Sequence, residues 1–164
     1  MKLWFLSLLA LAGTLTACGS SPSPEAAQAT TPDRPPNVMY GHIESMTRTD
    51  GELELRFDPA WWLTGVAAQR ANLEDTGSSD VPNDYRVIEE GHRLLTFVVS
   101  TDAAVRVLTR DLQHTSISAD ELLEIVNGRN PNHRRLFEPK LGFWIRIGEK
   151  YPNPIVALDQ QFQP

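Results

Sequence analysis

The chain has one cysteine in 164 residues, so no intrachain disulfide can form and the fold must be held by its core. Lysine is almost as scarce. Of 15 Lys and Arg residues only Lys2, Lys140 and Lys150 are lysines, a bias that reads as composition rather than function. Basic residues are outnumbered by 21 acids, giving a formal net charge of −6. Removing residues 1–17, which hold Lys2 and no acid, takes that charge from −6 to −7. Such a balance excludes nucleic acid as a partner, because phosphate binding needs clustered Lys and Arg. It also provides no polybasic surface for anionic lipid. Catalytic signatures are missing too: there is no H-E-x-x-H, no P-loop, no G-x-G-x-x-G and no serine in G-x-S-x-G. His42, His92, His114 and His133 are scattered, none paired at metal-ligand spacing, so no metal and no cofactor is expected. The acidic stretch from Glu74 and Asp75 through Asp80 to Asp84 offers hard oxygen ligands of the kind Ca²⁺ takes. It lacks the D-x-[DN]-x-[DN]-G order and reads as a solvated loop.

What is present is concentrated at the N-terminus. Met1-Lys2 is a minimal positive start, and Leu3–Leu15 is an apolar run shorter than the roughly 20 residues that span a bilayer but suited to a signal peptide. Leu15-Thr16-Ala17-Cys18 closes it with a branched apolar residue, two small residues and the lone cysteine. This resembles the lipobox of bacterial lipoproteins, and the resemblance implies cleavage before Cys18 and diacylglycerol on its sulfur. A cut after Ala12, at Ala10-Leu11-Ala12, competes with it but leaves an apolar run of about 7 residues, the short limit; a buried thiol is the other reading of Cys18. The likeness further implies two or three acyl chains. At about 0.8 kcal/mol per buried CH₂, more than one chain anchors stably. By enteric-type sorting, Gly19 after the cysteine favours the outer membrane where the organism has one.

Residues 18–36 carry the lipidated cysteine and then a Pro- and Ser-rich stretch with no large apolar residue, expected to remain disordered. Fully extended, such a tether reaches on the order of 55 Å. Residues 37–164 form a single domain large enough to bury a real core. Two extended runs, Val38–Arg48 and Glu52–Phe57, flank Thr49-Asp50-Gly51, a strong hairpin signal. Asp58-Pro59 should end the second run, and Thr64 should cap a helix over 65–73. Tyr85–Glu90 and Arg93–Ser100 read as a second hairpin around Gly91-His92, with a further strand near Val105 and Val107. Ser118-Ala119-Asp120-Glu121 matches a capping box for a short helix ending at Asn127-Gly128. Gly142–Ile147 and Ile155–Phe162 close the chain as a strand pair. The expected fold is mainly β with two short helices: a small, partly open antiparallel barrel or curved sheet of six or seven strands, one helix plugging an end. The alternative is an α+β sheet with both helices on one face.

The run DPAWWLTGVAA at 58–68, the segment Pro82–Ile88 and the tail Gln161-Phe162-Gln163-Pro164 are together similar to a group of small exported bacterial domains of unassigned function. That likeness covers roughly residues 38–164 and implies a shared fold, with no activity attached. Read from the residues alone, Trp62, Thr64 and Gly65 make a chain corner, and Asn83-Asp84 a turn before a strand. A functional reading makes Trp61, Asp84 and Tyr85 the lining of a ligand groove. Neighbouring residues of an extended chain point to opposite faces, so one of Trp61 and Trp62 is a candidate for exposure, and the same holds at Phe143-Trp144. Two functions follow as expectations. One is a lipid-anchored, non-catalytic envelope module for binding or scaffolding, taking a protein, glycan or small ligand, with Trp61, Asp84, Tyr85 and Trp144 as its ligand or partner surface. The other is an envelope hydrolase acting on polysaccharide or peptide, in which two or more of Asp58, Asp84, His92 and His114 converge in a cleft.

Overall fold

A computed structural model describes residues 37–89, 91, 93–138 and 142–163. Cys18, Gly19, the tether, Glu90 and His92 lie outside the described residues.

The first hairpin forms where the Asp-Gly pair directs it. Asp50 (φ 51°) and Gly51 (φ 88°) both take the left-handed conformation that matches the twist of paired strands. They join β1 (Val38–Thr49) to β2 (Glu52–Thr64). Alternation then sorts the residues: Leu53, Leu55 and Phe57 are buried, while Glu52 and Arg56 remain exposed and Glu54 partly so. The strand does not end at Asp58-Pro59 as its sequence suggests. Pro59 pairs in register with Gly41 of β1, and β2 continues to Thr64.

The effect of that proline falls on the other edge of β2. β3 (Tyr85–Glu89) and β4 (Leu95–Leu108) were expected to pair with each other, but both pair antiparallel with β2. β3 lies along Ala60–Thr64 and the start of β4 along Leu53–Phe57. The interruption falls opposite Asp58-Pro59, where proline has no amide hydrogen to give a ladder. β4 also runs unbroken through the two segments read separately in the sequence, to Leu108.

Five strands close into a ring. β1 pairs with β6 (Phe143–Ile147), β6 with β7 (Ile155–Gln160), β7 with β4, and β4 with β2. Every pairing is antiparallel except β4 with β7. β3 and β5 (His114–Ile117) extend the seven-stranded sheet at the free ends of β2 and β4. Counting the ring strands in chain order, neighbours run 1-2-3-5-4-1, with a helix between the third and fourth. This is the connectivity of an OB-type Greek-key barrel, a fold description that assigns no ligand.

The two helices do not share a face. α2 (Ala119–Val126) starts at a working cap: the Ser118 hydroxyl accepts from the Glu121 amide at 3.0 Å, with Asp120 and Glu121 in the first turn. It buries Ala119, Leu122, Ile125 and Val126 in one cluster with Ile43, Met46, Leu55, Phe57, Phe143 and Ile145 of the barrel. α1 (Gly65–Thr76) packs on the β2–β3 arm and buries only Ala68 and Asn72. Thr64 precedes it in extended conformation but makes no side-chain cap bond. The helix runs past Leu73 to Thr76, ending at left-handed Gly77, whose amide donates to Leu73 O at 3.0 Å.

Candidate binding surface

The pleat that turns Ile43 into the barrel turns Tyr40 and His42 outward, and that alternation builds a second aromatic cluster on the barrel's outer face. Tyr40 pairs in register with Ala60 on one side and Trp144 on the other. Its ring lies 4.7 Å from Trp144 and 5.0 Å, edge-on, from Trp62. Trp62 in turn stacks on Tyr85 at 4.0 Å with planes 12° apart, a diagonal cross-strand contact, since Trp62 pairs with Val87 and Thr64 with Tyr85. Trp62 and Trp144 approach to 5.7 Å.

Tyr40 is nevertheless buried, because the C-terminal segment lies over it. The Gln163 amide donates to the Tyr40 hydroxyl at 2.6 Å, and the Trp144 indole N–H donates to Gln161 Oε1 at 3.2 Å. Gly142 also presses on Tyr40: a Cβ there would stand 1.7 Å from the phenol oxygen. Desolvation by this cover, followed by the nearby Tyr85 and Glu89, pushes the Tyr40 hydroxyl up to about 12, against the opposing bond from Gln163. The sign follows. Well below pH 10.0 the phenol is neutral in both states and contributes no pH dependence. From there to about 12 only the unfolded chain loses the proton, and stability falls by about 3 kcal/mol. A Tyr40→Phe variant should show a shallower alkaline unfolding limb, and the native protein should show a tyrosinate absorbance step near 12 that the variant lacks. Identical absorbance titrations of wild type and variant around pH 12 would contradict the burial of Tyr40.

Trp61 takes the other face of the same arm. It pairs with Ile88 and is 57% exposed. Further along that face, Leu63 pairs with Arg86, and Arg86 donates to Asn72 and Asp75 of α1, so the helix covers the arm beyond Trp61. Asn72 Nδ2 also donates to the carbonyls of Ser78 (2.9 Å) and Asp80 (2.7 Å). The acidic loop is thus organised by an asparagine and an arginine. Among the described residues no three His, Cys, Asp or Glu side chains are grouped to hold a metal.

Of the residues singled out in the sequence, Tyr85 and Trp144 share one surface, joined through Trp62, and Trp61 lies on the opposite side of the arm. Asp84 is exposed in the 3₁₀ turn Pro82–Asp84, with φ 58°. Of the carboxylate and imidazole candidates, the described ones, Asp58, Asp84 and His114, are not brought together. Asp58 faces His42 across the β1–β2 ladder. Asp84 precedes the partner of Thr64, about 20 Å further along β2. His114 lies opposite Leu108 at the far end of β4, with Nε2 3.1 Å from the Gln160 carbonyl. Beside the aromatic cluster, Trp144 also borders a groove of about 320 Å³ on the outer barrel face. Ala104 and Ala157 line it, together with the ion-paired Arg106 and Asp159. The arrangement can stack a ring and hydrogen-bond its edge.

Tyr40 and the covering glutamines escaped sequence reasoning. The available signal was parity: Tyr40 and His42 alternate with Met39, Gly41 and Ile43, so one set must face outward. Compared with known proteins, the chain matches no family model, no curated protein and no solved structure.

Proposed function

We propose that the chain is an exported lipoprotein, held to an envelope membrane through Cys18, whose barrel is a non-catalytic module binding a protein or glycan. The observation that carries the binding role is Trp61, 57% exposed on β2 just past the end of its pairing with β1 and held in register against Ile88 of β3. A tryptophan so mounted offers a large apolar surface with little rotamer freedom to lose on binding. Tryptophan is among the residues enriched at the centres of binding interfaces. Support for the address is the Leu15-Thr16-Ala17-Cys18 sequence, followed by a tether long enough to hold the barrel clear of a bilayer.

Two variants of the full-length chain test the two halves. Cys18→Ala should move the protein from the membrane pellet to the soluble fraction, since no acyl chain can then be attached. Retention of the variant in the pellet at the wild-type level would refute lipid anchoring. Trp61→Ala should leave folding intact while losing capture of an envelope protein or polysaccharide from extract; an unchanged capture profile would remove Trp61 from the site.

A further inference from the structure

The chain is acidic overall, yet four of its arginines line one cavity. Arg110, Arg129, Arg134 and Arg135, with Ile125 and Leu136, enclose about 430 Å³ between the end of α2 and the loop that follows it. The loop is fixed by its own bonds: Asn130 Oδ1 accepts from the Arg134 amide at 2.9 Å, and Asn130 Nδ2 donates to the Arg134 carbonyl at 2.7 Å. The neighbouring stretch is pinned to the end of β4. Thr109 bridges Leu136, and the Arg110 amide donates to the Arg135 carbonyl at 2.9 Å.

Two of the four guanidiniums are spoken for. Arg129 pairs with Glu124, and Arg134 pairs through two nitrogens with Glu121. Among the described residues, Arg110 and Arg135 have no side-chain ion pair, and no carboxylate lines the cavity. Their backbones are hydrogen-bonded neighbours on adjoining segments, and both side chains are exposed at the cavity, so two solvent-accessible guanidiniums border the same space.

We infer that this cavity is a binding site for a phosphate group, carried by a small monoester or free in solution. Two uncompensated guanidiniums match the charge of about −1.5 to −2 that a phosphate monoester carries at neutral pH, where a single carboxylate would leave one unpaired. Planar forks on Arg110 and Arg135 suit bidentate contact with phosphate oxygens. The Glu-bound Arg129 and Arg134 form a wall whose charges are already paired. The volume exceeds that of phosphate alone and falls in the range of small-ligand pockets, leaving room for an attached sugar-sized group against Ile125 and Leu136. This site is independent of the Trp61 surface, and either can fail without the other.

The test is calorimetric titration of the full-length chain in detergent with glucose 6-phosphate, inorganic phosphate and glucose, with sodium chloride at matched ionic strength as the baseline. Glucose 6-phosphate should bind, and glucose should not. Arg110→Gln and Arg135→Gln should each weaken binding on the order of tenfold. Arg106→Gln, which breaks a pair with Asp159 elsewhere on the barrel, should leave it unchanged. Tighter binding of glucose 6-phosphate than of phosphate assigns the site to a phosphorylated small molecule; equal binding assigns it to free phosphate. Either result supports phosphate recognition. The inference is overturned if neither phosphate compound exceeds the salt baseline, or if the Arg110→Gln/Arg135→Gln double variant binds as tightly as the wild type.

Discussion

Gly41→Ala is expected to cost about 3 kcal/mol or more, enough to unfold much of the protein at moderate denaturant. An added Cβ would sit 2.1 Å from the Asp58 carbonyl oxygen and 2.7 Å and 2.8 Å from two ring carbons of Phe57. Neither neighbour can yield cheaply. The carbonyl is backbone in the β1–β2 ladder, and Phe57 is fully buried among Ile43, Leu55 and Phe143. Backbone conformation is not the issue, because Gly41 is an ordinary strand residue facing Pro59. Gly51 makes the contrast: its φ is 88° but nothing lies within 4 Å of its added Cβ. Gly51→Ala should therefore cost only the left-handed penalty of about 1–2 kcal/mol. Urea unfolding of the two variants side by side checks the argument. Equal midpoints for both would mean that the barrel wall is looser at Gly41 than these distances imply.

Gly41 also shows where sequence reasoning stops. Nothing around it marks a close approach, because the clash arises from Asp58 and Phe57 across a ladder whose register extends past a proline. What local chemistry decides was readable: the Asp50-Gly51 turn, the alternation of Leu53, Leu55 and Phe57, and the Ser118 cap with Glu121 beneath it. Partner choice was not. Tyr85–Glu89 and Leu95–Ser100 alternate as any two arms of a hairpin would, and a period of two cannot say which strand each will meet. Both were claimed by β2, the strand that Pro59 was expected to end. The site divides in the same way. The Trp61-Trp62 pair was legible as two faces from the pleat alone, and the exposed one is Trp61. The aromatic cluster depends on Tyr40, which lies in no motif, and on Gln161 and Gln163, which reach it from the opposite end of the chain. The Arg110–Arg135 cavity needs an isolated bridge between segments that periodicity does not mark, so it was invisible in a composition that reads as acidic.

The helices carry unequal weight, and Leu122→Ala against Val66→Ala should expose the difference. Leu122 has no exposed surface, and Ile125 and Val126, three and four residues on, share its face of α2. That face enters the same cluster as Met46 and Leu55, so truncating Leu122 opens a cavity bounded by paired strands that cannot collapse into it. The expected cost is about 2–5 kcal/mol. Val66 is 58% exposed on α1, whose buried residues are a small one, Ala68, and a polar one, Asn72. Val66→Ala removes little buried surface and replaces a β-branched residue with the best helix former, so its effect should stay within about 0.5 kcal/mol. Stability from denaturant unfolding, with near-ultraviolet circular dichroism to report the packing of the aromatic cluster, separates the cases. A closed barrel with α2 as its plug requires the large loss at Leu122 and almost none at Val66. Comparable losses at the two positions would instead mean that α1 shares the core, and that the arm bearing Trp61 is braced from both sides rather than mounted on the barrel's edge.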